Sequence, residues 1–201
     1  ESNGELRNID SLAVDPRRPE IIYVGTFHLP WKTSDGGRTW KKVLFRNSRA
    51  GAVDLCFDPH DPRVLYATIW EVYRTPWKLS SGGDASGLFK SIDGGDTWTE
   101  LTRNPGLPPG ILGKMTVAVS KPDPKRVWAL IEAEGGGLFR SDDGGATWTK
   151  LNGDRDLWQR AFYFLRIYAD PKDRDTLYVL NFWFHKSTDG GKTYKVIDGT
   201  H

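Results

Sequence analysis

The chain has a single cysteine, Cys56, among its 201 residues, so it cannot form an internal disulfide bond. Cys56 lies between Leu55 and Phe57 in a segment of alternating polarity, which indicates a small core residue rather than a nucleophile. No apolar run approaches the ~20 residues that a membrane-spanning helix needs, and no signal peptide is recognisable. These features exclude a disulfide scaffold and give no indication of a targeting segment.

The chain also lacks an excess of one charge, with 28 basic and 26 acidic residues interspersed along it. Without a basic run or an RNA-binding signature, nothing predicts a nucleic-acid partner. Nucleophile-elbow, P-loop and dinucleotide-binding motifs are missing as well. The histidines lie in different parts of the chain, with no metal-ligand spacing, so we expect neither a metal nor a cofactor. They are His28, His60, His185 and His201.

A phrase of eight residues occurs four times, with the pattern Ser/Thr-x-Asp-Gly-Gly-x-Thr-Trp/Tyr. Repeats at this spacing predict the architecture of the whole chain before any single residue is interpreted. The copies are TSDGGRTW (33–40), SIDGGDTW (91–98), SDDGGATW (141–148) and STDGGKTY (187–194).

The Asp-Gly-Gly core of each phrase is typical of a β-hairpin turn, since glycine tolerates positive φ and aspartate accepts backbone hydrogen bonds. We interpret the aspartates as structural turn clamps rather than catalytic groups, because active sites do not come in four equivalent copies. The aromatic residue that ends each phrase is predicted to pack across the turn. The residues concerned are Asp35, Asp93, Asp143 and Asp189, with Trp40, Trp98, Trp148 and Tyr194.

A second signature precedes each phrase: a short apolar strand, a Pro/Asp turn, and a strand rich in β-branched and aromatic residues. Each unit therefore contains four strands, which we label A to D in chain order. Consecutive short strands with tight turns predict an all-β chain of antiparallel meanders, that is, a β-propeller with four blades. We expect one domain over residues 1–201, with blades at about 9–51, 52–113, 114–163 and 164–201.

The four phrases resemble Asp-boxes, also called bacterial neuraminidase repeats. The order of signature, strand and box is similar to propellers of the sortilin type, of xyloglucanases and of photosystem II assembly-factor-like proteins. The resemblance implies a β-propeller fold and an extracytoplasmic or secreted location. It leaves the activity open, because Asp-boxes occur in enzymes and in receptors. A sialidase is disfavoured, since the Arg-Ile-Pro motif of that family is missing.

The A–B turns and Asp-boxes lie at one end of each blade, while the longer and variable B–C loops and D–A connections lie at the other. We call this second end the loop face, and we expect a binding site there because variable loops on a rigid scaffold carry function. Aligning the A strands gives a polar column of Ser11, Asp54, Thr116 and Arg166 near the central channel. The predicted ligand-binding residues are Arg166, Arg74, Trp70, Trp77, Trp158 and Tyr73.

No complete catalytic constellation is present, so the favoured function is a non-catalytic binding or assembly propeller that recognises a protein or a glycan. The alternative is a glycoside hydrolase, or a fragment of one, which requires two carboxylates about 5 Å or about 6.5–9.5 Å apart. Asp54 and Glu71 are the candidate catalytic pair. Because four blades are few for these families, we also expect self-association or further blades at the propeller edges.

Overall fold

The computed structural model describes residues 9–26 and 30–197, which form four antiparallel sheets in succession along the chain. Each sheet pairs its strands in meander order, and the second sheet carries one additional strand. The sheets are arranged as the blades of a four-blade β-propeller, so the predicted all-β fold is confirmed. None of the helices in the described residues is long and apolar enough to cross a membrane.

The strands of the four blades follow the predicted A to D order. Blade 1 contains β1 (Ile9–Val14), β2 (Ile22–Thr26), β3 (Pro30–Thr33) and β4 (Lys41–Lys42). Blade 2 contains β5 (Ala50–Phe57), β6 (Leu65–Thr75), β7 (Lys78–Ser81), β8 (Gly87–Ser91) and β9 (Thr99–Glu100). Blade 3 contains β10 (Leu112–Val119), β11 (Val127–Ala133), β12 (Gly137–Ser141) and β13 (Thr149–Asn152). Blade 4 contains β14 (Arg166–Ala169), β15 (Leu177–Leu180), β16 (Phe184–Ser187) and β17 (Lys195–Val196).

Each Asp-box closes the hairpin between strands C and D with local hydrogen bonds. In blade 3, the Ser141 hydroxyl and the Thr147 N–H both donate to Asp143 Oδ1, at 2.7 and 2.8 Å. The Trp148 indole N–H donates to the Gly145 carbonyl at 3.0 Å. The hydrogen bond from the Ser141 hydroxyl is the largest of several that lower the pKa of Asp143 to about 2. The other three boxes repeat the bonds from the Ser or Thr hydroxyl and the Thr N–H to the aspartate.

The hydrophobic core lies between neighbouring blades, where strand A of one blade packs against strands of the blade before it. The largest cluster joins Tyr66 of blade 2 to Val117, Val127 and Trp148 of blade 3. Burying these side chains is the main source of stability in a meander whose single sheets would be marginal alone. The loops are thereby fixed on a rigid scaffold.

The longest B–C segment differs from its sequence interpretation. As the B–C segment of blade 2, residues 70–78 are predicted by the sequence to form a variable loop, but β6 continues to Thr75 and pairs with β7 as a two-stranded extension. Val72 pairs with Ser81 and Arg74 pairs with Leu79, in the register of an antiparallel hairpin. The extension places a rigid hairpin, with Pro76 and Trp77 at its tip, on the loop face. Between β13 and β14, the D–A connection contains the 3-10 turn Arg155–Leu157.

Candidate functional site

The polar column of the A strands occupies one position in every blade. Ser11, Asp54, Thr116 and Arg166 pair with Gly25, Thr68, Leu130 and Leu180 respectively, at the equivalent register of each A–B ladder. The column is therefore a structural feature that the sequence alignment located correctly. Its members come from successive blades, and Asp54, Thr116 and Arg166 make hydrogen bonds to groups of other blades.

Asp54 is held by groups from two blades. Its Oδ2 atom accepts hydrogen bonds from the Thr116 hydroxyl and from the Val117 N–H, the latter at 3.0 Å. Burial raises the pKa of Asp54, while the positive charge of Arg166 and the bond from Thr116 oppose that rise. Through these hydrogen bonds, the Asp54 side chain links strand A of blade 2 to strand A of blade 3.

Arg166 acts as a bridge to the first two blades. Its guanidinium donates to the Val53 carbonyl at 3.0 Å and to the Asp10 carbonyl at 2.7 Å. A cavity of about 270 Å³ opens beside it, lined also by Lys114 and by the Asp10 side chain. Burial raises the pKa of Asp10, and burial together with the nearby Arg166 lowers the pKa of Lys114. Sequence reasoning did not identify Asp10 or Lys114, because neither belongs to a repeated motif.

Glu71 has separate partners on β6. Its Oε1 atom lies 3.1 Å from Nη2 of Arg49, and its Oε2 atom accepts a hydrogen bond from the Ala85 N–H at 3.1 Å. Asp54 pairs with Thr68, so Glu71 lies three residues further along the strand. Since successive side chains of a strand alternate between its faces, Asp54 and Glu71 point to opposite faces of the sheet. Asp54 and Glu71 therefore do not face each other across a cleft.

Trp70 lies inside the blade rather than on the surface, with 1% of its side chain exposed. Its indole N–H donates to Ser81 Oγ at 3.0 Å, and its ring meets Phe162 edge-on at a centroid distance of 5.0 Å. The Lys114 ammonium lies 5.1 Å from the centre of the ring. Trp70 thus supports the surface residues above it and does not offer a face to a ligand.

An aromatic patch covers the loop face above Trp70. We define it as Arg74, Trp77 and Leu79 of the β6–β7 hairpin together with Phe162 and Tyr163 of the β13–β14 connection. The Arg74 guanidinium lies 5.5 Å from the Phe162 ring centre and 6.0 Å from that of Tyr163. Trp77, at the hairpin tip, is 85% exposed, and Tyr73, Leu79 and Tyr163 are also exposed.

A second exposed group of aromatic residues lies on blade 4. Phe182 and Trp183 follow β15, with their rings edge-on at a centroid distance of 5.0 Å. Arg160 places its guanidinium 5.6 Å from the Phe182 ring centre. Trp158, by contrast, is half-buried among the residues between blades 3 and 4, with Arg155 stacked on it at 4.9 Å. Of the predicted binding residues, Arg74 therefore contacts Phe162 and Tyr163, Tyr73 and Trp77 are exposed on the same hairpin, and Trp158 lies apart from them.

The remaining candidate groups are a thiol that could act as a nucleophile and side chains that could bind a metal ion. Burial raises the pKa of the Cys56 thiol to about 12, so this residue is poorly suited to act as a nucleophile. Across residues 9–26 and 30–197, no group of three or more His, Cys, Asp or Glu side chains is arranged to hold a metal ion. His28 and His201 lie outside the described residues.

The chain is similar in sequence to a repeat family and to two xyloglucanases. A family model described as BNR/Asp-box repeat matches residues 139–150, the third box and its flanking strands. The chain is 31% identical over 117 residues to a xyloglucanase of Paenibacillus sp., a match that covers 49% of this chain and 10% of the relative. A xyloglucanase of Acetivibrio thermocellus is 26% identical over 117 residues and is covered to 12% of its length.

Two solved structures extend the comparison to almost the whole chain. The GH74 xyloglucanase of Xanthomonas campestris superposes with a TM-score of 0.68 and 20% identity, covering 92% of this chain and 28% of that one. YCF48 of Cyanidioschyzon merolae superposes with a TM-score of 0.54 and 18% identity, covering 94% of this chain and 56% of that one. At these identities the structural likeness supports the fold alone, and the chain spans a part of each relative.

Proposed function

Since the chain is a β-propeller built of BNR/Asp-box repeats, we propose that it is a non-catalytic binding or assembly propeller that recognises a protein or glycan partner through its loop face. The observation that carries the proposal is the aromatic patch. It combines the exposed Trp77 with an Arg74 guanidinium that lies over the rings of Phe162 and Tyr163. Tryptophan, tyrosine and arginine are the residues that most often dominate binding energy at interfaces.

The support beneath the patch also favours binding. The patch rests on the paired strands β6 and β7, and on the buried Trp70 ring, so its side chains are held before a partner arrives. A preordered surface loses less conformational entropy on association than a flexible loop does. Aromatic faces of this kind suit both sugar stacking and the side chains of a protein partner.

A glycoside hydrolase, or part of one, is the second candidate, and the xyloglucanases among the relatives favour it. Against it, the carboxylates of Asp54 and Glu71 are engaged by different partners and point to opposite faces of the sheet. Hydrolysis needs both groups to flank one glycosidic bond. We therefore propose binding rather than catalysis for this chain. We also propose an extracytoplasmic or secreted location, as the resemblance to Asp-box propellers implies.

The test compares variants of the patch with a control at the other end of the blades. Binding of a xyloglucan oligosaccharide to the purified chain is measured by calorimetry, and protein partners are trapped by a photo-crosslinking residue at position 77. Trp77→Ala and Arg74→Ala should each weaken binding at least tenfold. Ile92→Ala, which removes another exposed apolar side chain, in the second Asp-box, should not. Hydrolysis of the oligosaccharide that disappears in Asp54→Ala would replace this proposal with the hydrolase.

A further inference from the structure

The cavity beside Arg166 lies where three blades meet, and we call it the Lys114 cavity. Its charged side chains are Asp10 of β1, Lys114 of β10 and Arg166 of β14, each within the first three residues of its strand. Because the A strands begin where the D–A connections end, the cavity lies at the loop-face end of the blades. Its volume of about 270 Å³ is below the ~300–1,000 Å³ of pockets for drug-sized molecules, which indicates a smaller ligand.

Lys114 supplies a buried positive charge to this cavity. The residue is only 6% exposed, and its ammonium group lies 5.1 Å from the centre of the Trp70 ring. In the part of the chain that the structure describes, no hydrogen bond or ion pair joins this ammonium group to another residue. An aromatic face attracts a cation, but it leaves the N–H donors without an acceptor oxygen. Since a buried charge is costly unless it is paired, an anionic group in the cavity would stabilise Lys114.

Asp10 supplies the opposite charge to the same cavity. Its Oδ2 atom is buried and accepts no hydrogen bond from any residue that the structure describes. Burial raises the pKa of Asp10, while the positive charges of Lys114 and Arg166 oppose that rise. Asp10 and Lys114, both among the described residues, therefore interact through their charges without forming a direct ion pair. A cationic donor in the cavity would give Asp10 the hydrogen bond that it lacks.

The two opposite charges are held apart by contacts with other residues. The Lys114 ammonium group lies against Trp70, whose indole N–H donates to Ser81 Oγ at 3.0 Å. The backbone of Asp10 is held by Arg166, whose guanidinium donates to the Asp10 carbonyl at 2.7 Å. A site whose groups are already in place loses less conformational entropy when a ligand binds. The separation of the two charges is therefore a built feature of the cavity.

The remaining wall of the cavity is mainly apolar. Asn181 also lines it, but the polar atoms of this side chain are engaged. Its Nδ2 atom donates to the Phe164 carbonyl at 2.7 Å, and its Oδ1 atom accepts from the Phe182 N–H at 2.8 Å. A ligand therefore meets two opposite charges and otherwise an apolar surface. The apolar side chains of this wall belong to Tyr163, Phe164, Leu165 and Leu180.

These features select the chemical class of the ligand. An anion without a positive group would leave Asp10 without a donor and would approach a like charge, whereas an amine without a negative group would do the same at Lys114. A neutral sugar would compensate neither charge and would turn its other hydroxyl groups toward the apolar wall. The ligand that satisfies both charges is a small zwitterion with an apolar remainder.

We propose that the Lys114 cavity binds a free α-amino acid with an apolar side chain. The carboxylate of the ligand accepts hydrogen bonds from the Lys114 ammonium group, and its own ammonium group donates to Asp10. The apolar side chain of the ligand contacts Leu165 and Leu180. Because this site takes a small molecule, the proposal does not depend on the partner of the aromatic patch.

The test is calorimetric titration of the full wild-type chain with L-leucine and with two analogues that share its hydrocarbon part. Isocaproate lacks the ammonium group of leucine, and isoamylamine lacks its carboxylate. Leucine should bind at least about tenfold more tightly than either analogue, since each analogue loses one hydrogen bond between charged groups. Methyl glucoside, a neutral sugar, should neither bind nor compete with leucine. This series requires no substitution in the protein, so it remains decisive if a variant fails to fold.

Two variants then assign each charged group of the ligand to its residue. Asp10→Asn should weaken the binding of leucine about tenfold without weakening that of isocaproate, which has no ammonium group. Lys114→Met should weaken the binding of leucine and of isocaproate but not that of isoamylamine. Lys121→Met, which changes an exposed lysine at the other end of β10, is the matched control and should alter none of the three.

Urea unfolding verifies that each variant is folded before it is titrated. A structural effect alone would weaken the binding of all three compounds alike, and that result would contradict the assignment. The proposal would also be overturned if leucine does not bind to the wild-type chain at millimolar concentration. Binding of either analogue as tightly as leucine, or displacement of leucine by methyl glucoside, would equally exclude a site for a zwitterion.

Discussion

The hydroxyl group of Tyr66 in blade 2 lies 2.9 Å from the carbonyl oxygen of Gly144 in the Asp-box of blade 3, to which it donates a hydrogen bond. Burial raises the pKa of Tyr66, so the hydroxyl remains protonated and able to donate throughout the neutral range. The ring of the same residue packs in the largest hydrophobic cluster. One side chain thus supplies both the apolar and the polar part of the interface between blades 2 and 3.

Replacement of Tyr66 by phenylalanine should isolate the polar part. Tyr66→Phe keeps the ring but leaves the Gly144 carbonyl without this donor, which should lower the free energy of unfolding by about 1 kcal/mol. For a domain of this size, the melting temperature should fall by about 2–4 °C. Tyr73→Phe, at an exposed position on the hairpin, is the matched control and should change it by less than about 1 °C. Equal shifts in the two variants would contradict the role of the hydrogen bond.

The second glycine of the Asp-box provides a test of blade packing. Gly95 and Gly37 both have positive φ, at 77° and 93°, so alanine is strained at either position. An alanine Cβ at Gly95 would in addition lie 2.8 Å from Cε1 of the buried Tyr23 ring, which belongs to the preceding blade. We expect Gly95→Ala to destabilise the chain by about 1–3 kcal/mol more than Gly37→Ala, as measured by urea unfolding. If the two variants unfold at the same urea concentration, Tyr23 does not constrain that position.

The fold could be predicted from the sequence because the strands and turns of each repeat are indicated by local residue patterns. The Asp-Gly-Gly phrases define the C–D hairpins, and the aligned A strands place Asp54, Thr116 and Arg166 in one column. The sequence was insufficient where a contact depends on the next blade. Tyr23, Tyr66, Trp128 and Tyr178 occupy one position of strand B in all four repeats, and that regularity was the available signal for the interblade hydrogen bond.

The candidate site was harder to predict than the fold, because it depends on contacts between residues that are far apart in the sequence. The sequence predicts Trp70, Tyr73 and Trp77 as ligand-binding residues of one variable loop, but in the structure β6 pairs with β7, Trp70 is buried, and Tyr73 and Trp77 are exposed. Phe162, which stacks with Arg74, comes from a connection about 90 residues away in the chain. Local sequence patterns cannot predict a contact between residues so far apart in the chain.

The Asp-box of blade 3 should respond to acid. Hydrogen bonds, the largest from Ser141, lower the pKa of Asp143 to about 2, from an ordinary value of 3.8. Because the folded pKa is the lower one, the stabilisation is present above about pH 4 and is lost as the pH falls toward 2. Asp143→Asn should therefore be less stable than wild type at pH 7, by about 1 kcal/mol as for a lost capping side chain. The difference between the two proteins should shrink as the pH falls to 2 and vanish below it, and a difference that does not shrink over this range would contradict the assignment.

Arg166 provides the most stringent test of the axial column. It donates to the carbonyls of Asp10 and Val53, and its charge is the largest influence opposing the effect of burial on the pKa of Asp54. Arg166→Met should remove both hydrogen bonds and leave the Asp54 carboxylate without its compensating charge. We expect a loss of about 3 kcal/mol in the free energy of unfolding at pH 7.

The pH dependence separates the charge effect from the loss of hydrogen bonds. The pKa of Asp54 is already raised in the folded chain, so ionisation of this group disfavours folding as the pH rises above the ordinary value of 3.8. Without Arg166 that penalty grows, and the variant should lose stability more steeply than wild type between about pH 4 and 7. Asp54→Asn in the Arg166→Met background removes the titrating group and should flatten the extra slope, with a total loss smaller than the sum of the single variants. A slope that is unchanged by Asp54→Asn would show that the two side chains are not electrostatically coupled, and that Arg166 stabilises the axis through its carbonyl contacts alone.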